Sequence, residues 1–264
     1  MQETEAAFDE YALSYDGTFT FSSIGKLQRA RVWKYLSAHV SPVTHPDVLE
    51  LNCGTGEDAA WFLRNGYKIT STDISDEMVK IAREKNKSEK GTFIQSDISE
   101  IGNTLFNKKF DLIFSDFGGI NCLSPETLSG MDAVFSKLLR PGGKIIFVIM
   151  SRNCKWEQWY FKRKNDSENA YRRRSKAGVE AIIFDRKFST WYYSPEEIAK
   201  LFSVSFSVHK FRPIGYALPP SYLEPYFKKH PLFLNALNLG EKVFGNFSSL
   251  SDKADHFIID LDRK

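Results

Sequence analysis

Apolar residues change their spacing twice along this chain. From residue 47 to 150, short apolar runs alternate with stretches whose apolar positions recur every three to four residues. The runs predict strands at 47–52, 68–72, 92–96, 110–115 and 144–150, and the intervening stretches predict helices at 57–65, 75–86, 98–106 and 125–139. Gly66 and Gly142-Gly143 punctuate two helix ends. Strands that alternate with helices predict a doubly wound, parallel α/β sheet. Upstream, Phe8, Ala12 and Tyr15 fall on one helical face, and a second helix is expected from about Ser22 to His39. Downstream, residues 151–190 break the rhythm. Ser194-Pro195 then has the form of a capped helix start. Two late strands, about 204–211 and 256–261, are expected to pair antiparallel. The proline-punctuated segment between them is read as loop-rich.

Composition narrows the choices modestly. With 264 residues and 42% hydrophobic content the chain can bury a sizeable core, and 22 phenylalanines supply much of it. A net charge of +3 gives no general case for nucleic acid. No run approaches the roughly 18 apolar residues of a membrane span. Met1 to Asp9 has no basic-then-apolar leader. The three cysteines and five histidines form no metal-ligand spacing, so no metal and a reducing, cytoplasmic setting are expected.

The chemistry concentrates at the strand ends. Val48-Leu49-Glu50-Leu51-Asn52-Cys53-Gly54-Thr55-Gly56 reads as a buried strand running into a glycine loop, and the next strand ends in Asp73. A glycine loop lets a ligand press on the backbone, and an acid at the next strand's end can grip a ribose. The spacing Gly54-x-Gly56-x-x-Ala59 also fits a dinucleotide fingerprint, which keeps a nicotinamide-dependent oxidoreductase open. Glu50 argues against it, because a carboxylate there would repel a pyrophosphate by roughly a few kcal/mol in a partly buried site. A cationic sulfonium or ammonium would tolerate that carboxylate. Asp97 after the third strand is a further acid of the same edge.

Taken together, these motifs resemble the class I S-adenosylmethionine (SAM)-dependent methyltransferases of small-molecule type. The resemblance rests on Leu49–Gly56, on Asp73-Ile74-Ser75-Asp76-Glu77-Met78, on Gln95-Ser96-Asp97-Ile98, on Phe110–Asp116, and on Leu139-Arg140-Pro141-Gly142-Gly143-Lys144. It runs from about residue 8 to about 150 and more loosely beyond. One departure is Asn52 in place of the family's first loop glycine; asparagine is among the residues that tolerate positive φ.

The resemblance implies a Rossmann-like, seven-stranded, mostly parallel sheet with a C-terminal antiparallel pair. On this reading a single domain spans 1–264, with an N-terminal helical cover (1–45), a SAM-binding core (46–150), an inserted lid (151–190) and a C-terminal part (191–264). That last part would complete the sheet and, through Phe211 to Tyr226, close the acceptor pocket. The implied cofactor is SAM. Its expected contacts are Tyr15, Glu50, Asn52, Cys53, Gly54, Gly56, Asp73 (ribose), Ile74, Met78 (adenine face), Asp97 with Ile98 (adenine amine) and Ser115. Asp116, in the loop after the fourth strand, is a candidate base or substrate anchor. Tyr11, Phe117, Asn121, Arg152, Trp156 and Tyr160 are candidate acceptor contacts. The implied reaction is in-line methyl transfer to an O, N or C nucleophile of a small molecule. Positioning and desolvation can supply much of its rate without a base.

The insert is the open element. Trp156, Trp159, Tyr160, Phe161 and Tyr171 mix with Lys155, Lys162, Arg163, Lys164, Arg172, Arg173, Arg174 and Lys176. The pattern suits a lid whose Arg152 or Arg173 binds an anionic acceptor group. It also suits an RNA platform, a peripheral contact with an anionic membrane, or a solvated amphipathic helix. The low net charge and the lack of an Asn/Asp-Pro-Pro-Tyr/Phe loop at Ser115–Gly118 argue against an RNA methyltransferase.

Overall fold

The computed structural model describes residues 8–10, 12, 15–104, 106–183 and 186–264. Nine strands are described in two sheets. β1 (Asp47–Leu51), β2 (Lys68–Asp73), β3 (Gly91–Gln95), β4 (Phe110–Ser115) and β5 (Leu139–Met150) run parallel. β8 (Phe206–Ile214) and β9 (His256–Arg263) complete the larger sheet, with β9 antiparallel to both β5 and β8. Its order is β3-β2-β1-β4-β5-β9-β8. The order reverses between β1 and β4, so a crevice opens at their carboxyl ends. β6 (Val179–Ile183) and β7 (Arg186–Thr190) form a separate antiparallel hairpin.

The strands are apolar on both faces because helices cover both. Leu49, Leu51, Ile113, Ile145, Phe147, Phe257 and Ile259 point into one layer, against Leu128, Met131 and Phe135 of α4 (Pro125–Leu138) and Ile198 of α7 (Pro195–Leu201). The alternate residues Val48, Leu112, Phe114, Ile146, Val148 and Ile258 point into the other. There they meet α1 (Ser23–His39), α2 (Glu57–Arg64) and α3 (Asp76–Lys85). Helix starts follow their capping residues: Ser22, Ser75, Ser124 and Ser194 each accept a backbone N–H of the first turn.

Several boundaries differ from the sequence reading. The expected 98–106 helix is a short 3₁₀ turn, Ile98–Asn103. The insert holds α5 (Lys155–Arg163), α6 (Ser167–Tyr171) and the β6–β7 hairpin. The segment read as loop-rich carries α8 (Glu224–Phe227) and α9 (Pro231–Phe244). Their inward residues Phe227 and Leu234 join Leu223 of the preceding 3₁₀ turn, Ile24 and Leu218 in a third apolar cluster, with Trp156 and Tyr160 packed on it.

Candidate active site

The turn after β1 is shaped by three left-handed residues, Asn52 (φ 49°), Gly54 (φ 51°) and Gly56 (φ 79°). Gly56 has no alternative: a Cβ there would come within 2.6 Å of Asn86 and 2.8 Å of Ala82. Asn52 uses its side chain where a glycine could not. Its Nδ2 donates to the carbonyl of Asp116 at 2.6 Å, and its Oδ1 accepts from the Ser115 hydroxyl. The β1 and β4 loops are thereby tied together.

Asp73 closes the next side. Its two oxygens accept from the backbone N–H groups of Gly54 (2.8 Å) and Ser75 (3.0 Å). Burial outweighs those bonds and pushes its carboxyl up to about 6. Each oxygen retains a further acceptor position. Asp97 caps the 3₁₀ turn through Ser99 N–H at 2.8 Å.

Above the loop lies a cavity of about 680 Å³, within the range of small-molecule sites, roughly 300–1,000 Å³. One end is walled by Tyr15, Asn52, Gly54, Asp73, Ile74, Met78, Asp97 and Ile98. The other end is walled by Phe8, Phe117, Cys122, Leu123, Met150, Phe188, Trp191 and Tyr192. The Phe8 and Phe188 rings meet at 5.6 Å, bringing the N-terminal segment against the hairpin. Phe117 is held at φ 41° and packs edge-on to Phe19 and His256.

Other predicted contacts stand elsewhere. Glu50, Cys53, Gly56 and Ser115 are buried and do not wall the cavity. Glu50 accepts from the Ser71 hydroxyl; burial and Asp58 push it well above the carboxylate range. Asp116 is buried with Arg29 and Asp58, and accepts from Phe117 N–H. Burial and the neighbouring Asp58 raise its carboxyl strongly. Asp116 is buried and does not wall the cavity, so this geometry does not set it beside a bound acceptor. Asn121 is fully buried and clamps backbone: its Nδ2 donates to the Trp191 and Met150 carbonyls, and its Oδ1 accepts from Met150 N–H.

The insert helices are structural on this geometry. Arg152 pairs with Glu197 and with the Tyr192 carbonyl. The Trp156 indole donates to Ala217 O, and the Tyr160 ring meets that of Tyr222 at a tilt, 5.9 Å between centroids. Arg173 is buried between Glu157 and Asp255, and Arg172 also pairs with Glu157. Two arginines that might have gripped an anionic ligand are thus committed internally. Phe211–Ile214 belong to β8, and no residue from there to Tyr226 walls the cavity. Tyr11 lies outside the described residues.

The hairpin and the two residues after it supply the walls that the sequence reading missed: Ala181, Phe188 and Thr190, then Trp191 and Tyr192. The period-two pattern of Arg186-Lys187-Phe188-Ser189-Thr190 was the available signal. No group of His, Cys, Asp and Glu among the described residues is arranged to hold a metal.

Comparison with known proteins bears on the core of the chain. Residues 48–143 match the family described as "Methyltransferase domain". The match covers the core from β1 to the start of β5 and supports a SAM-dependent methyltransferase domain there. Around that domain, similarity extends to a curated demethylmenaquinone methyltransferase of Clavibacter sepedonicus, 28% identical over 146 residues, 54% of this chain and 56% of that one. The chain spans little more than half the length of that relative. A solved SAM-dependent methyltransferase of Methanosarcina mazei shares the methyltransferase fold with TM-score 0.58 at 15% identity, covering 86% of this chain and 96% of its own. So does the Burkholderia thailandensis 1,6-didemethyltoxoflavin-N1-methyltransferase, solved with its acceptor and S-adenosylhomocysteine: TM-score 0.59, 16% identity, 100% of this chain and 88% of that one.

Proposed function

We propose that this chain moves the methyl group of SAM to an O, N or C nucleophile of a small acceptor with an aromatic or isoprenoid-like body. The observation that carries the reading is the two-ended cavity: carboxylates and a glycine loop at one end, aromatic and apolar walls at the other. The residues suit an adenosyl cofactor. Asp73 keeps free acceptor positions for ribose hydroxyls, and Met78 and Ile98 offer apolar surface to a base. At Gly54 a Cβ would project to within 3.6 Å of the Tyr15 ring and fill the cradle.

When bound, SAM would supply an electrophilic methyl on a sulfonium, and Gly54, Asp73, Met78 and Ile98 would hold it. The chain's own part is to hold and to dry. Phe117, Phe188, Trp191 and Tyr192 orient a flat or branched acceptor and exclude water from the transfer. With Asp116 turned inward, the reading assigns no general base. The acceptor named in the Clavibacter relative and the one bound in the Burkholderia enzyme support the small-molecule class. A cytoplasmic location belongs to the same reading, which cell fractionation would check.

The test is calorimetric titration with SAM, S-adenosylhomocysteine, NAD and NADP. Binding of the two sulfur nucleosides alone supports the reading and opens an acceptor screen with labelled SAM. Binding of a dinucleotide instead would overturn it.

A further inference from the structure

α9 is an amphipathic helix turned the unusual way round. Its inward face holds Leu234 and Glu241, and Glu241 is sequestered by the backbone N–H groups of Gly215, Ala217 and Leu218. Its outward face is apolar. Leu232, Leu239 and Val243 are 83%, 63% and 57% exposed, and Phe233, Phe244 and Phe247 are about half exposed. Residues 232, 236, 239 and 243 recur at helical spacing, so they form one stripe, and Phe247 stands exposed just past the helix end. Tyr222, Tyr226 and Trp159 are exposed on the elements packed beside it, through the Phe227–Phe233 and Tyr160–Tyr222 ring contacts.

Within its own segment the exposed charge beside this stripe is positive, and Asp166 and Glu168 lie beyond Lys164 on the neighbouring insert. Between residues 221 and 250 the acids are Glu224 and Glu241. Glu224 accepts from Ser23 and Ile24 N–H, and Glu241 is buried. The cations Lys228, Lys229 and Lys242 stand exposed, as do Lys162, Arg163 and Lys164 on α5. Arg163 and Lys164 lie over the Trp159 and Tyr160 rings.

We infer that the outward face of α9, with its lysine rim, docks on an anionic lipid bilayer surface. Leucine, phenylalanine and valine standing out of a helix between lysines are what an interfacial helix inserts at the headgroup boundary. Flanking tyrosine and tryptophan suit the same depth, and anionic headgroups complement the rim. A second copy fits less well, since its face would bring the same lysines and no free acid of this segment to meet them. No helix among the described residues is long and apolar enough to cross a membrane, so the contact is peripheral. The face also sits at the cavity's edge of the sheet: Met150 pairs with His256, His256 with Ile214, and Gly215 leads to the turn that α9 holds. The inference stands independently of the methyl-transfer reading.

The test is co-sedimentation of the full chain with vesicles of phosphatidylcholine alone and of phosphatidylcholine mixed with phosphatidylglycerol. The chain should bind the mixed vesicles, release them in high salt, and ignore the neutral ones. Leu239→Glu/Val243→Glu should weaken binding about tenfold or more, with far-UV circular dichroism and melting temperature unchanged. Lys228→Glu/Lys229→Glu weakens it by a separate route and decides the matter if the first pair misfolds. Failure of the wild-type chain to bind mixed vesicles overturns the inference. So does unchanged binding by both variant pairs, or a solution dimer that Leu239→Glu/Val243→Glu splits, which would assign the face to a second copy.

Discussion

A Cβ on Gly119 would lie 2.1 Å from both Cγ and Oδ1 of Asn52. The glycine therefore exists for the asparagine: Asn52 fills the space between the β1 and β4 loops and hydrogen-bonds Asp116 and Ser115 across it. Gly119→Ala should cost about 1–3 kcal/mol through overpacking and weaken SAM binding. Asn52→Gly/Gly119→Ala should be no less stable than Asn52→Gly alone, because the clash has gone. Urea denaturation of the four proteins closes the cycle. Simple addition of the two single losses would show that the residues do not compete for that space.

Asp73 gives the cofactor end a pH dependence. A carboxyl raised to about 6 in the fold, against about 3.9 unfolded, binds its proton more tightly when native. Its contribution to stability is therefore greatest below about pH 4 and is lost as pH rises through 6. Cofactor affinity runs the other way, since only the carboxylate accepts from two hydroxyls. SAM affinity should be level above pH 7 and fall on acidification below about 6. Asp73→Ala should weaken binding by roughly 1–3 kcal/mol and flatten that profile. Calorimetry across the pH range reads both, and an unchanged affinity in the folded variant would remove Asp73 from the ribose.

The sheet was legible because burial on both faces writes continuous apolar runs, and because strand ends carry their glycines and acids in order. What failed were assignments resting on partners distant in sequence. Arg173 looks like a free cation until Asp255, 82 positions away, is folded against it. Asn121 and Asp116 sit in the right loop, but sequence says nothing of which way a side chain turns. The prolines of 213–231 suggested loops, yet Pro213 occupies a sheet-edge strand and Pro231 the first turn of α9, both places where proline is tolerated. The hairpin lacked an Asn-Gly or Asp-Gly turn, and its cavity-lining alternation is short.

Asn121 predicts a structural effect on the acceptor end. It holds the end of β5 to Trp191 by bonds to Met150 N–H and to the Met150 and Trp191 carbonyls. Asn121→Ala leaves those buried groups unpaired and should cost about 1–3 kcal/mol per orphaned group at most. Asn121→Asp should be worse, since it sets a carboxylate against two carbonyls. SAM affinity should change little in either, because Gly54, Asp73 and Met78 are untouched. Melting temperature and calorimetry together check this. A loss of SAM affinity without a loss of stability would mean that Asn121 contacts the cofactor.

Arg173 separates anchoring from ligand capture. It bridges Glu157 and Asp255, and with His256 it holds Asp255 well below the usual carboxylate range despite burial. A depressed carboxyl contributes stability that is present above its unfolded value, near pH 4, and is lost as pH falls. Arg173→Met leaves two buried carboxylates short of a partner and should cost about 3–5 kcal/mol at neutral pH. Part of that loss should vanish as pH falls below about 4, because the stability that the lowered Asp255 carboxyl contributes is itself lost there. Arg174→Met, whose guanidinium lies exposed near Asn153 and over Tyr171, should shift stability by no more than about 0.5 kcal/mol. Denaturation of both variants at two pH values decides it. Equal, small effects at the two positions would mean that Arg173 is not the clasp holding the insert to the sheet, and would return it to the cations available to a ligand.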